Sequence, residues 1–390
     1  MFSTSNFKTK TTFIERKNES VEDIWAVALD IGYSAVKGYS SNAVYSFPSY
    51  ARKLTGQLLG FADVSANDIL YKDNATGETW IVGSSAQEMI TTDETGDSLA
   101  ELYGRNRYFS ELFKVIAEVG MGLGMMTNTF GSPNGKSLML QTGLPPAYLK
   151  SDSSLLKESL GGEHNFSVKV GKKPWVSFNF ILPEDNIFVM AQPMGTLLSI
   201  STDNSGKQIP DAAKYFKSSM LIFDPGFGTL DVFNIRNRMI ESTETFDNLG
   251  MKRVMMETSN LIMDKYHQEI PVPAMQKYLA TGEIRYKDRK TRTTSMVPFG
   301  DLLEEANKKV CMEALSKIDN IYNNLFDHDY LVITGGTGAA WNTIIKEYYG
   351  GMETLKIING NQNDNLPCIF SNVRGYYLYL VGKMKNAAKK

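Results

Sequence analysis

The chain has 390 residues, 42% of them hydrophobic and 22% charged, with a formal net charge of −2. That length and apolar share allow two or three domains around a large core and exclude global disorder, while the near-balanced charge excludes a dedicated nucleic-acid or membrane-surface protein. Two cysteines, Cys311 and Cys368, point to a reducing compartment and a cytoplasmic location; the three histidines, His164, His267 and His328, lack zinc-site spacing, and no apolar run reaches membrane-span length.

Residues 1–22 are polar and mixed in charge, without the apolar centre of a signal peptide, and read as a mobile N-terminal arm. Then comes "IWAVALDIGYSAVKGYS", residues 24–40: an apolar strand ending in Asp30, a Gly-containing turn, and a second strand. "VYSFPSYAR" is a short strand, and "ETWIVGSSAQEMI" a strand turning into a helix. "RYFSELFKVIAEVGMGLGMM" spaces Phe109, Leu112, Phe113, Ile116 and Val119 along one helical face. "GSPNGKS" resembles a phosphate-binding G-x-x-x-x-G-K-[ST] loop, but Gly131 and Gly135 lie one position too close. A strand rather than a helix follows, so the stretch reads as a solvated hairpin turn.

"NFSVKVGKKPWVSFNFILPE" alternates and predicts two antiparallel strands; "NIFVMAQPMGTLLSI" predicts a strand and then a helix. "SSMLIFDPGFGTLDVFNI", residues 218–235, repeats the first hairpin pattern with Asp224 at its strand end, which suggests a duplicated domain. "LGMKRVMMETSNLIMDKY" and "FGDLLEEANKKVCMEALSKIDNIYNNL" are long helix patterns, and residues 283–294 between them read as a basic loop. "DYLVITGGTGAAW" passes from a strand through a glycine-rich turn to a helix, and "FSNVRGYYLYLVGKMKNAAKK" is a final helix with a basic end.

The two hairpins carry the chemistry. In "DIGYSAVK", Gly32 lets backbone approach an anion, the amides around Tyr33 and the Ser34 hydroxyl can donate to phosphate, and Lys37 adds positive charge. In "DPGFGTLD", Gly226, Phe227 and Gly228 form the turn and Thr229 offers a hydroxyl and an amide. If the turns face each other, they clamp a polyphosphate from both sides. Asp30 and Asp224 then supply charge for a magnesium ion, held through its waters because magnesium dehydrates reluctantly. Gly335, Gly336 and Thr337 offer bare backbone for a base or ribose and a helix start for phosphate.

Together these segments resemble the actin-like superfamily, which includes sugar kinases and heat-shock ATPases. Asp30, Gly32 and Lys37 match its first phosphate motif; Asp224, Gly226, Gly228 and Thr229 match the second; Gly335, Gly336 and Thr337 match the adenosine motif. Within it the chain looks most like the bacterial ParM group, through "LQTGLPPAYL" and "FSNVRGYYLYLVG". The resemblance implies an α/β, actin-like fold of two duplicated RNase H-like domains flanking a nucleotide cleft. Domain I would span 23–190 and be completed by the helix 371–390; domain II would span 191–370. It also implies ATP or GTP with Mg²⁺, slow hydrolysis coupled to filament assembly, plasmid DNA segregation through a DNA-bound adaptor, and no direct contact with nucleic acid or membrane. By the same resemblance Gln192, in "FVMAQPMG", would orient the attacking water, with Glu184 and Asp185 as fallback carboxylates. Lys252, Arg253 and Glu257 would approach base and ribose. The alternative within the superfamily is a small-molecule kinase, but no aspartate base motif follows the first hairpin.

Overall fold

The structure, a computed structural model, describes residues 2–56, 65–90, 105–288 and 290–387. The first half of the chain supplies strands β1 (Thr12–Glu15), β2 (Ile24–Ile31), β3 (Ala35–Ser40), β4 (Ala43–Pro48), β5 (Ala51–Lys53), β6 (Ile69–Asp73), β7 (Thr79–Val82), β8 (Ser137–Leu144), β9 (Gly162–Val170), β10 (Val176–Leu182) and β11 (Ile187–Ala191). The second supplies β12 (Met220–Pro225), β13 (Thr229–Arg236), β14 (Met239–Asp247), β15 (Glu283–Asp288), β16 (Thr293–Pro298), β17 (Tyr330–Ile333) and β18 (Lys356–Asn359).

Two mixed sheets share one topology. The first runs β1-β4-β3-β2-β8-β11 and the second β14-β13-β12-β17-β18. In each, consecutive antiparallel strands are followed by two parallel ones, β8 and β11 or β17 and β18. The duplication expected from the paired hairpins is therefore a matched strand order. β2 and β12 are central and covered on both faces, so their sequences are continuous apolar runs rather than alternating ones. A smaller sheet, β10-β9-β6-β7-β5, extends the first half, and β15 and β16 pair as a separate hairpin.

Helices sandwich both large sheets. Helix Glu111–Met125 covers one face of the first; its Ser110 cap accepts the Phe113 amide at 3.1 Å. Phe113, Ile116 and Val119 face the core as the spacing predicts, whereas Phe109 precedes the cap and stays exposed. The other face carries helix Ser371–Ala387, through Tyr376, Tyr377 and Leu380. The second sheet lies between helices Met251–Tyr266 and Gly300–Ile321 on one side and Gln192–Ser201 on the other. Helices Gln192–Ser201 and Ser371–Ala387 meet where Gly195 and Gly375 touch backbone to backbone, which joins the two halves.

Three expectations are corrected. Residues 1–22 are not a mobile arm: β1 pairs antiparallel with β4, Phe7 is buried in the core of the second half, and Arg16 pairs with Asp364. The basic stretch 283–294 is no loop but the β15–β16 hairpin, closed by a turn in which Asp288 accepts the Lys290 and Thr291 amides. "GSPNGKS" is a turn, with Gly135 at φ 74°, but it leads from a helix into the parallel strand β8 and joins no hairpin. Met1, Arg289 and residues 388–390, which belong to the arm, the basic stretch and the final helix respectively, lie outside the described residues. Among the described residues, no helix is long and apolar enough to cross a membrane.

Candidate functional site

The two aspartate-tipped hairpins open into one cavity of about 400 Å³. Their turns are built alike: the Gly32 amide donates to Ala35 O at 3.0 Å, and the Gly226 amide to Thr229 O at 2.8 Å. The tips meet. A Cβ on Gly228 would lie 2.7 Å from the Tyr33 ring, so glycine is required for this approach.

Each aspartate sits opposite a register partner. Asp30 faces Lys37, whose Nζ lies 3.1 Å from Asp30 Oδ2. Asp224 faces Asp231, the same position in the second hairpin. Burial, then the charge of Asp224, holds Asp231 well above the usual carboxylate range; Thr245 Oγ1 donates to it at 2.8 Å. Asp224 itself is pushed up to about 6, by burial first and by Asp30, against the opposing pull of the Asn372 amide, which donates to Oδ2 at 2.7 Å, and of Lys37.

The glycine-rich turn reaches the same cavity. Gly335, at φ 75°, opens helix Gly335–Tyr348, and a Cβ there would strike Asp224 Oδ1 at 2.7 Å. Thr337 Oγ1 donates to Gly226 O at 2.7 Å, tying this helix to the second hairpin. Gln192, the first residue of its helix, donates from Nε2 to Asp30 Oδ1 at 3.3 Å. Ser34, Phe227, Thr229 and Gly336 also line the cavity.

Five sequence candidates are elsewhere. Lys252, Arg253 and Glu257 do not line the cavity; Glu257 pairs with Arg253 and with Lys309 of helix Gly300–Ile321, at 2.8 Å each. What this helix gives the site is its first turn: the Met251 and Lys252 amides donate to Gly226 O and Phe227 O, and Met251 lines the cavity. Glu184 and Asp185 occupy a short turn between β10 and β11 and do not line the cavity.

A family model for the N-terminal domain of actin-like proteins matches residues 28–195. Comparison with curated proteins gave no match. The fold is similar to a 15-stranded ParM filament from Clostridium botulinum, at 21% identity over 93% of this chain and 100% of that one, with a TM-score of 0.71. A non-polymerisable quadruple mutant of pCBH ParM gives 21% identity, 93% and 99% coverage and a TM-score of 0.70. An archaeal actin homologue in complex with ADP gives 14% identity, 94% and 100% coverage and a TM-score of 0.59. The chain has an actin-like fold.

Sequence reading missed several residues of this cavity. Asn372 lies within a quoted segment, but its bond to Asp224 depends on how the last helix docks. Asp231 could have been found by superposing the hairpins, which puts it in the position of Lys37. Arg107 stacks on the Tyr33 ring at 4.4 Å, bonds the Ile31 carbonyl and lines the cavity; no spacing signal announces it. Thr9 lines it from the region read as an arm, and Gln276 from helix Val272–Tyr278, for which no element was expected.

The donor set fits a polyanion with a hard cation. Two glycine turns present backbone amides, Lys37 supplies charge, and Asp30 and Asp224 stand on opposite hairpins. Asp224 is raised first by burial and then by the charge of Asp30, and a cation between the two carboxylates would offset both. Among the described residues no cluster of three metal-ligating side chains occurs, so water and phosphate oxygens would complete the shell, as suits Mg²⁺.

Proposed function

We propose that this chain binds ATP or GTP with Mg²⁺ in the cavity, hydrolyses it slowly, and assembles with copies of itself into filaments. In this reading it is a cytoplasmic ParM-group protein that segregates plasmid DNA through a DNA-bound adaptor. One observation carries the proposal: two hairpins of equivalent register, each with a strand-end aspartate, converge tip to tip on one cavity. Two comparisons support it, the filament of a ParM protein and the ADP complex of an archaeal actin homologue.

The residues divide the work. Amides of the two turns, the Ser34 and Thr229 hydroxyls and Lys37 bind phosphate oxygens, and Gly335 and Gly336 leave room for base or ribose. Asp30 and Asp224 are the residues that would hold the cation, and bound Mg²⁺ would neutralise charge on the transferring phosphoryl group. Gln192 is a neutral amide, so it orients water rather than removing its proton. Phosphoryl transfer asks the protein for positioning and charge, and this site offers both.

The test is sedimentation and electron microscopy with Mg·ATP and Mg·GTP, beside a phosphate-release assay. Expected are a nucleotide-dependent pellet of filaments, slow release, and loss of Mg²⁺-dependent release in Asp224→Ala. No pellet and no release with either nucleotide overturns the reading; phosphorylation of a small acceptor by a soluble monomer replaces it with a kinase.

A further inference from the structure

The N-terminal segment belongs to both halves of the molecule. Its first turn, Thr4–Phe7, is seated on the second half: Phe7 is buried with Met275, Leu279 and Phe299, and Thr4 Oγ1 donates to Leu279 O at 2.7 Å. Thr4 also rests on Gly282, where a Cβ would come within 3.0 Å of its hydroxyl. A few residues on, β1 is hydrogen-bonded to β4 as the edge strand of the first half. The short span between crosses the gap. There the Thr9 amide donates to Gln276 Oε1 of the second half at 3.1 Å, while Thr11 Oγ1 meets Ser84 Oγ of the first at 3.0 Å and Lys8 Nζ lies 3.6 Å from Glu88. The crossing residues Lys8, Thr9 and Lys10 form part of the cavity wall.

We propose that residues 4–15 are a clasp that holds the cleft shut and so limits nucleotide exchange. Opening the cleft requires the halves to part, and this segment is anchored to one half by a buried ring and to the other by strand pairing. Separation must extract Phe7 or strip β1 from β4. The Phe7 anchor is the weaker, one side chain and a few hydrogen bonds against a four-residue ladder, so the clasp releases from the second half and stays attached to the first. A nucleotide that bridges the hairpins favours the closed state and with it the seated Phe7; nucleotide loss and clasp release are then linked, each favouring the other. The clasp rests on the nucleotide reading given above.

The experiment is stopped-flow displacement of a fluorescent ATP or GTP analogue, with Mg²⁺, from three proteins: the full chain, a chain lacking residues 2–10, and Phe7→Ala. Release is expected to quicken on the order of tenfold or more in both variants, the factor given by losing one net hydrogen bond and part of an apolar anchor. A cooperative melt shows that each variant is folded, and Phe7→Ala decides the matter where the deletion does not fold. Equal release rates in the full chain and a folded variant overturn the clasp and leave the nucleotide site standing. No analogue bound by the full chain overturns the site, and the clasp with it.

Discussion

Gln192 is placed by helix geometry more than by its own bonds. As the first residue of helix Gln192–Ser201, ahead of Pro193, it projects from the helix start toward Asp30, and its one hydrogen bond there, at 3.3 Å, is long. A group held this lightly can turn to a water. Gln192→Ala is expected to slow hydrolysis by roughly ten- to a thousand-fold while nucleotide still binds, the range for losing one positioning group. Single-turnover phosphate release beside a binding titration checks it; lost binding or a collapsed melt would make the residue structural instead. His328 supports a different kind of expectation. Its Nε2 lies 3.0 Å from Asn234 Oδ1, and its buried Nδ1 meets no partner among the described residues. With Nε2–H donating, Nδ1 is a bare nitrogen, and protonation would bury an N–H with no acceptor. Burial, then the charge of Arg236, accordingly lowers its pKa from 6.5. The folded chain binds fewer protons than the unfolded one below 6.5, so this contribution to stability is full above 6.5 and is lost as the pH falls through the lower, folded value. From about pH 7.5 to about pH 5 the melting temperature should fall less in His328→Gln than in the parent. Parallel declines would show that His328 is not the titrating group.

At the scale of elements, what was legible is what the chain encodes locally. Each aspartate-tipped hairpin is a self-contained run of apolar strand, aspartate, glycine turn and second strand, and both formed with equivalent registers. β1 was illegible because its strand is short and half-polar, and its partner β4 lies far along the chain. The β15–β16 hairpin was hidden by charge: both strands are largely exposed, so alternation left little apolar signal. The helix after the second hairpin was found, but not its face. Val254, Met255, Thr258 and Ile262 decide which side is buried, and they turn Arg253 and Glu257 toward Lys309 instead of the cavity. The closest helix contact was also invisible, because glycines mark close approach only once the partner is known. Gly375 faces the Gly195 carbonyl so tightly that a Cβ would collide with it. Gly375→Ala should therefore destabilise the protein by about 1–3 kcal/mol through overpacking, only partly offset by the better helix propensity of alanine. Urea unfolding measures this. Nucleotide affinity should fall as well, since the shifted helix carries Asn372, the donor to Asp224. An unchanged midpoint with unchanged affinity would mean that the crossing relaxes freely.

Across the whole molecule, each half has cores of its own. One apolar cluster packs around Leu29, Val36 and Ile116, and another around Phe223, Val254 and Trp341. The halves are joined by the Gly195–Gly375 crossing, beside which Arg374 donates to Ser199 O and Thr202 O, and by the Tyr33–Gly228 contact, the Thr4–Glu15 segment, the Tyr148–Asp247 bond and the bond from Asn372 to Asp224. Two bodies with separate cores can melt separately, whereas a ligand gripping both must leave before either half unfolds. If a nucleotide binds as proposed, Mg·ATP or Mg·GTP at about a hundred times its dissociation constant adds about 2.7 kcal/mol to the folded state. That shift should act on the molecule as one body. Calorimetry without nucleotide is expected to show a broad or divided transition. With nucleotide the transition should sharpen and move up by a few degrees, given the size scaling of melting temperature with free energy. Asp224→Ala should show neither change, because the second hairpin has then lost its carboxylate. If only one of two transitions moves, the ligand sits on one half, and the converging hairpins do not form a shared grip. Sharpening together with the upward shift is the result that distinguishes a bridging nucleotide from one bound to a single domain, and it needs no assay of turnover.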